Sequence, residues 1–493
     1  MRVRLVSVYT ARGWRQVVLA AAVAVGLLWM GEAGAGGGGL GFAAAHGAAE
    51  PRVARVAGRP VAPDAGRRVA TVAGRPVAPV GGRRVATVAG RPVAPVGGRR
   101  VATVGGRPVA TVGGRPVAPA AERSMAPAGQ GRLIARDSLP LHTAGARIVN
   151  RFGRPVHLAA VNWYGGESVD FAPGGLQLQP LKQIVSEIRR LGFNAVRLPY
   201  SNQMVEQDPV VPGYAVAANP ELEGLHAMQV YERVVHALTG QGIAVVLDDH
   251  NSNAEWCCSA TDGNTLWYNS RYPQRAWLSD WKEMAATFRN DPLVIGADLR
   301  NEPRGAATWG GPSSTNWPAA AELGGDAVLS VNRHLLVFVE GISYAGDLSG
   351  VKHLPVVLDV PHHLVYEAHD YAWYEPGFSS YKQWYEQVYP KWAYLVTGPK
   401  PQPLWVGEFG TCDTAASCVS DSTSGSNGFW FHILTTFLQR YDVNWCYWPI
   451  NGTQSTGRSR TYGAPETYGV LNAKWDGPAL PALTKRLAQI EGS

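Results

Sequence analysis

The sequence predicts an α/β fold over residues 138–493, a (β/α)8 TIM barrel, preceded by an export signal and a disordered basic repeat. Two observations carry this prediction. From Ser138 onward, eight apolar strand-like runs alternate with amphipathic helical stretches. Seven of the eight runs end in polar or aromatic side chains: Asn162-Trp163, Arg197, His250, Asn301-Glu302, His369 and Tyr371, Glu408, and Trp448. In a parallel barrel the C-terminal strand ends share one mouth, so such clustering is what a barrel requires.

The strands are expected at 157–163, 195–200, 244–250, 294–301, 335–340, 364–371, 404–408 and 443–450. The helices are expected at 178–191, 221–238, 276–289, 317–331, 381–395, 428–441 and 483–490. The fifth and sixth strands have no clear helix between them, which keeps a doubly wound open sheet as the alternative.

Upstream, residues 1–35 read as an export signal. Arg2, Arg4, Arg12 and Arg15 precede an apolar run at 17–30, which is short for a membrane span, and small residues follow. Residues 36–137 read as a disordered linker. Within them RRVATVAGRPVAPVGG at 67–82 recurs unchanged at 83–98 and with small changes at 99–114. Pro and Gly in every copy and few large apolar side chains leave too little burial to offset ordering entropy. The tail is expected to act as a spacer or to hold acidic surfaces.

The net charge of +7 is unevenly distributed. Residues 51–136 hold sixteen Arg against Asp64 and Glu122, which is +14, whereas 137–493 carries −9. The barrel region is acidic, and no nucleic-acid partner is expected. Seventeen Trp and nineteen Tyr suit sugar binding, because sugar rings present flat C–H faces to aromatic rings. No ligand spacing for a metal and no phosphate loop is present, so no cofactor is expected.

Two runs carry the chemistry: Ile295-Gly-Ala-Asp-Leu-Arg-Asn-Glu302-Pro303 and Leu404-Trp-Val-Gly-Glu408-Phe-Gly410. Each is a strand that stops at a glutamate followed by a turn signal. Two carboxyls flanking one bond are the requirement of glycoside hydrolysis.

At these residues the chain closely resembles glycoside hydrolase family 5, the cellulase family, and within it bacterial secreted endo-β-1,4-glucanases. The likeness runs from Ala146 to Trp475 and includes Ala160-Val-Asn-Trp163, Val196-Arg-Leu-Pro-Tyr-Ser201, Val339-Glu-Gly341 and Ala368-His-Asp-Tyr371. The resemblance implies that Glu302 is the acid/base and Glu408 the nucleophile of a retaining reaction. Glu302 is then expected to have a raised pKa and Glu408 to be ionised. It implies that Arg197 and Tyr371 hold the nucleophile and His369 orients both carboxyls. Asn301 would bond the sugar 2-hydroxyl and His250 another hydroxyl. Trp448 would stack beneath the reacting sugar, and Trp163, Trp256 and Trp267 are further candidate platforms, as are Trp309, Trp373 and Tyr374. The chain departs from the best-known bacterial members at Trp256-Cys257-Cys258 and at Ile450, near which many relatives place a second Trp.

Among the cysteines, Cys412 and Cys418 bracket a short loop and are the favoured pair. Cys446 shares parity with Trp448 and should point inward as a free thiol, while Cys257 and Cys258 either bond to each other or leave one free. The expected protein is a secreted monomer acting on a polysaccharide or oligosaccharide, with no membrane span once the signal is removed. β-Mannan or a β-glucoside conjugate is the alternative substrate. A non-catalytic carbohydrate-binding surface protein is the third reading, opposed by the retained glutamates and their neighbours.

Overall fold

The computed structural model describes residues 133–491 and, within the repeat, eight two-residue strands between 71 and 116. These short strands form four antiparallel ladders that join Thr-Val to Arg-Pro, as in Thr71–Val72 with Arg75–Pro76. Arg-Pro takes part in each of these two-residue ladders. The export signal at 1–35 and the rest of the expected linker up to 132 lie outside the described residues. Among the described residues no helix is long and apolar enough to cross a membrane.

Eight parallel strands close into a barrel: β1 Ala159–Asn162, β2 Ala195–Ser201, β3 Ala244–Asn251, β4 Val294–Asp298, β5 Leu336–Glu340, β6 Leu364–His369, β7 Leu404–Phe409 and β8 Asn444–Tyr447. The ring closes where β1 pairs β8, with Ala159 opposite Trp445. Closure removes the open-sheet alternative. The β5–β6 connection does lack an α-helix and contains only the 3-10 turn Ser349–Lys352. The outer helices are α1 Leu181–Arg190, α2 Ala227–Gly240, α3 Gln274–Thr287, α4 Trp317–Val331, α5 Tyr381–Val388, α6 Asn427–Tyr441 and α7 Pro481–Ala488.

Strand pleating divides the side chains into two cores. Val161, Val196, Leu247, Ala297 and Val406 face outward and pack under the helices. Ala160, Ala195, Val246, Phe338 and Trp405 fill the lower barrel. Leu141, just before the hairpin His142–Ala144 with Arg147–Val149, and Ile148 within it join this inner core and plug its N-terminal end. Cys446 lies in the same core as a free buried thiol, and Cys412 bonds to Cys418 with Cα atoms 5.2 Å apart. Cys257 bonds to Cys258.

Several ladders end short of the expected strands. Asn301, Glu302, Tyr371 and Trp448 lie beyond the last ladder residues of β4, β6 and β8. Leaving the ladder frees the backbone to aim these side chains. The turn after β4 is held from the helix layer: Trp277 and Trp281 of α3 both donate to the Leu299 carbonyl at 3.1 Å.

Candidate active site

Above the apolar lower barrel, the inward positions become polar at one level. Arg197 on β2 occupies the centre and is fully buried. Its guanidinium meets Asp248 on β3 (3.1 Å), Asp298 on β4 (2.6 Å), Glu340 on β5 (2.9 Å), Glu367 on β6 (3.6 Å) and Glu408 on β7 (2.8 Å). Five acids around one arginine cannot all ionise in a dry interior. Burial pushes Asp248 up to about 7 and Asp298 up to about 6, against the pull of Arg197. Burial likewise raises Glu340 and Glu367.

The next level is the mouth. Glu408 accepts from Arg197 Nη1 at 2.8 Å through Oε1 and from the Tyr371 hydroxyl at 2.9 Å through Oε2. Both oxygens accept, as a carboxylate's do. Burial raises its pKa, and His369 and Arg197 oppose the rise. Glu302 faces it. One oxygen of Glu302, one of Glu408 and a ring nitrogen of His369 lie within 4.8 Å of one another.

Glu302 sits at φ +48°, a left-handed conformation that costs free energy in a non-glycine residue. Two contacts hold it. Its N–H donates to Glu340 Oε2 at 2.6 Å, and its carbonyl accepts from Arg304 Nη1 at 3.0 Å. Its carboxylate Oε1 lies 3.0 Å from His369 Nδ1 and 3.3 Å from the Tyr374 hydroxyl.

The expected rise in the Glu302 pKa is not found. Burial pushes the carboxyl up, but the His369 hydrogen bond and charge, with Arg304 and His250, outweigh it and leave the pKa lowered. His369 shifts the opposite way. Burial disfavours its charge, but Glu340, Glu408, Glu302 and Glu367 surround it and raise its pKa well above the usual histidine value. The two opposite shifts both favour a charged pair across the 3.0 Å contact.

His250 donates Nδ1–H to Asp248 Oδ2 at 2.7 Å. Burial and Arg197 push its pKa down to about 3, so the ring is neutral and Nε2 is left as an acceptor. Asn301 accepts from Arg197 Nη2 at 3.0 Å through Oδ1, which turns its NH2 group away from the arginine.

Of the candidate platforms Trp163, Trp256, Trp267 and Trp448, Trp256 and Trp448 are half-buried and belong to one aromatic cluster at the mouth. Trp448 stacks on Tyr164 at 5.3 Å and on His250 at 5.6 Å. Arg460 lies 3.8 Å over the Trp256 ring. The other two expectations are corrected. Trp163 is fully buried: it follows the inward Asn162, so the pleat turns it outward, where it donates to the Gly174 carbonyl at 2.8 Å. Trp267 is also fully buried, packed 5.5 Å from Trp317 and bonded to Gln274 at 2.9 Å. Neither offers a face to a sugar. Trp373, by contrast, is 59% exposed and stacks on Tyr371 at 4.6 Å.

Sequence reasoning gave no role to Asp248, Asp298, Glu340 or Glu367. A signal exists for two of them: Asp248 and Glu367 precede His250 and His369 by two residues and so share their inward face.

Among the described residues, three clusters are tight enough to hold a cation: Glu302, His369 and Glu408; Glu340, Glu367 and His369; and His250, Cys257 and Cys258. In the first two, the surrounding carboxylates raise the pKa of His369 and so favour its charged form, which would repel a cation. In the third, the sulfurs are bonded to each other and provide no thiolate.

A closed barrel whose mouth carries two facing carboxyls, held by arginine, histidine and tyrosine, defines a barrel glycoside hydrolase. The sequence profile of the family described as cellulase (glycosyl hydrolase family 5) matches residues 149–454. The chain belongs to this family. It is 34% identical over 331 residues to an endoglucanase of Paenibacillus polymyxa, covering 63% of this chain and 79% of that protein. The fold matches the catalytic domain of the major endoglucanase from Xanthomonas campestris pv. campestris with a TM-score of 0.61 and 26% identity, over 71% of this chain and 99% of that one. It matches a variant endocellulase from Pyrococcus horikoshii in complex with cellotetraose with a TM-score of 0.61 and 26% identity, over 72% of this chain and 98% of that one.

Proposed function

We propose that the chain is a secreted, retaining, endo-acting hydrolase of β-1,4-linked glucans, with Glu408 as nucleophile and Glu302 as acid/base. The observation that carries this reading is the approach of the two carboxyls, with one oxygen of each within 4.8 Å. Retaining enzymes separate their carboxyl groups by about 5–5.5 Å, whereas inverting ones leave room for a water between them.

Glu408 attacks the anomeric carbon while the bond to the leaving oxygen breaks. That oxygen takes a proton from Glu302, which first receives it from His369 across the 3.0 Å contact and is left ionised for the second step. Either position keeps one proton on the pair, so the lowered Glu302 pKa at rest is compatible with acid catalysis. Water then loses a proton to Glu302 and attacks the glycosyl ester, releasing a sugar of retained configuration and free Glu408. Asn301 bonds the 2-hydroxyl, His250 a second hydroxyl, and Trp448 and Trp256 pack against the sugar rings.

The relatives' names support the substrate and location: one is an endoglucanase and another a major extracellular endoglucanase. The test is reducing-end release by the secreted chain from carboxymethyl cellulose, lichenan and mannan, with the anomeric configuration of new ends followed by NMR. Glu302→Gln and Glu408→Gln should each abolish release; release that survives both removes the assignment. Faster action on mannan would move the substrate to β-mannan. Binding without hydrolysis would favour a non-catalytic carbohydrate-binding role.

A further inference from the structure

The loop that follows β3 bends back over the mouth and is pinned there by Arg304. That side chain meets Asp262 at 2.6 Å and the Ser259 carbonyl at 3.1 Å while also bonding the Glu302 carbonyl. Inside the loop, Asn264 bonds the Asn253 N–H at 2.8 Å and Glu255 Oε1 at 2.9 Å. This frame sets the bonded pair Cys257–Cys258 beside the site. Asn301 Nδ2 lies 3.4 Å from one sulfur and 3.5 Å from the other. A ring nitrogen of His250 and the two sulfurs lie within 4.8 Å of one another. Both cysteines are half-buried, so a small reagent can reach them.

The amide orientation gives this contact its meaning. Arg197 fixes Oδ1 of Asn301, so Nδ2 must point its hydrogens toward the cleft and the sulfurs. Disulfide sulfurs accept weakly and donate nothing, so they support the amide without competing for the hydroxyl it would bind. Two thiols differ in both respects: they separate to non-bonded contact, and each adds an S–H donor facing an N–H donor.

We propose that the Cys257–Cys258 disulfide is a positioning element of the reaction, holding Asn301 in place for the sugar, and that its reduction slows turnover reversibly. The inference rests on the role proposed above for Asn301. The step is a two-electron exchange. An added small dithiol breaks the S–S bond, delivers two electrons and two protons to the sulfurs, and becomes a disulfide itself. Because the 2-hydroxyl contact strengthens in the transition state, the effect should fall on kcat more than on KM.

The experiment measures kcat and KM of the full chain on a soluble β-glucan before and after dithiothreitol, with thiols titrated in parallel. Cys412→Ser/Cys418→Ser is assayed alongside, so that the vicinal pair is the only disulfide in that protein. Reduction should lower kcat about tenfold, the worth of one hydrogen bond, with KM little changed. Oxidised glutathione should restore it. Cys257→Ser/Cys258→Ser should start at the reduced level and ignore the reagent. Full kcat with two new thiols titrated, or full kcat in the Cys257→Ser/Cys258→Ser chain, overturns the inference. If that variant does not fold, the titrated reduction decides alone. A chain that hydrolyses no β-glucan in any state defeats the functional reading instead.

Discussion

Glu340 Oε2 accepts the backbone N–H of Glu302 at 2.6 Å, while its Oε1 meets Arg197 at 2.9 Å. One carboxylate thus ties the backbone of one facing glutamate to the arginine that holds the other. Glu340→Gln keeps the shape but supplies one acceptor where two are used, and presents an NH2 group to a donor. Loss of a charge-assisted bond of about 2 kcal/mol predicts a kcat lower by more than tenfold with KM little altered. Steady-state kinetics on a soluble glucan checks this, with circular dichroism to confirm the fold.

Gly407, directly before Glu408, has a packing reason for its missing side chain. A Cβ there would overlap Glu367 Oε1, which is buried against Arg197 and His369. Gly407→Ala should destabilise by about 1–3 kcal/mol and reduce activity, because Glu367 and Glu408 must both shift. Urea unfolding and kcat together measure it; unchanged values in both would disprove the clash.

The two corrected tryptophans and one mouth tryptophan make a paired test. Trp163→Ala should cost about 3–5 kcal/mol of stability as a core cavity. Trp448→Ala should leave stability nearer to that of the parent and raise KM on glucan oligomers. Equal effects on KM from both would contradict the pleat assignment.

Stability should fall as pH rises from about 4 to 8. Burial pushes Glu167 up to about 8, Asp248 up to about 7 and Asp298 up to about 6. Below the ordinary carboxyl range of about 4, folded and unfolded chains hold these protons alike, and the contribution is fully present. Above it the unfolded chain releases protons that the fold keeps, so stability is lost until the folded values are passed. Glu302 and Asp442, held low, act only at more acid pH. Thermal unfolding at pH 5 and pH 8 should show the higher Tm at pH 5, and Asp298→Asn should flatten the difference.

The barrel was legible because two periods are written into the chain: alternation along strands, and polar residues confined to their C-terminal ends. The Asn301-Glu302-Pro303 and Gly407-Glu408 runs marked which ends meet. Orientation was less legible. Trp163 lies one residue past an inward position, and a shift of one residue reverses the face. The acids beneath the mouth were hidden because each looks like an ordinary strand residue until Arg197 is placed among them. The raised pKa of His369 depends on four acids, Glu302, Glu340, Glu367 and Glu408, from distant parts of the chain, and no local run of sequence encodes that meeting.

The crowding of acids around Arg197 has a consequence for how such a protein diverges. The charge of Arg197 is shared among side chains from five strands, so neutralising any one of them redistributes attraction among the remainder. The working acidity of the enzyme can therefore drift through replacements in its floor while every group that would touch the sugar stays as it is.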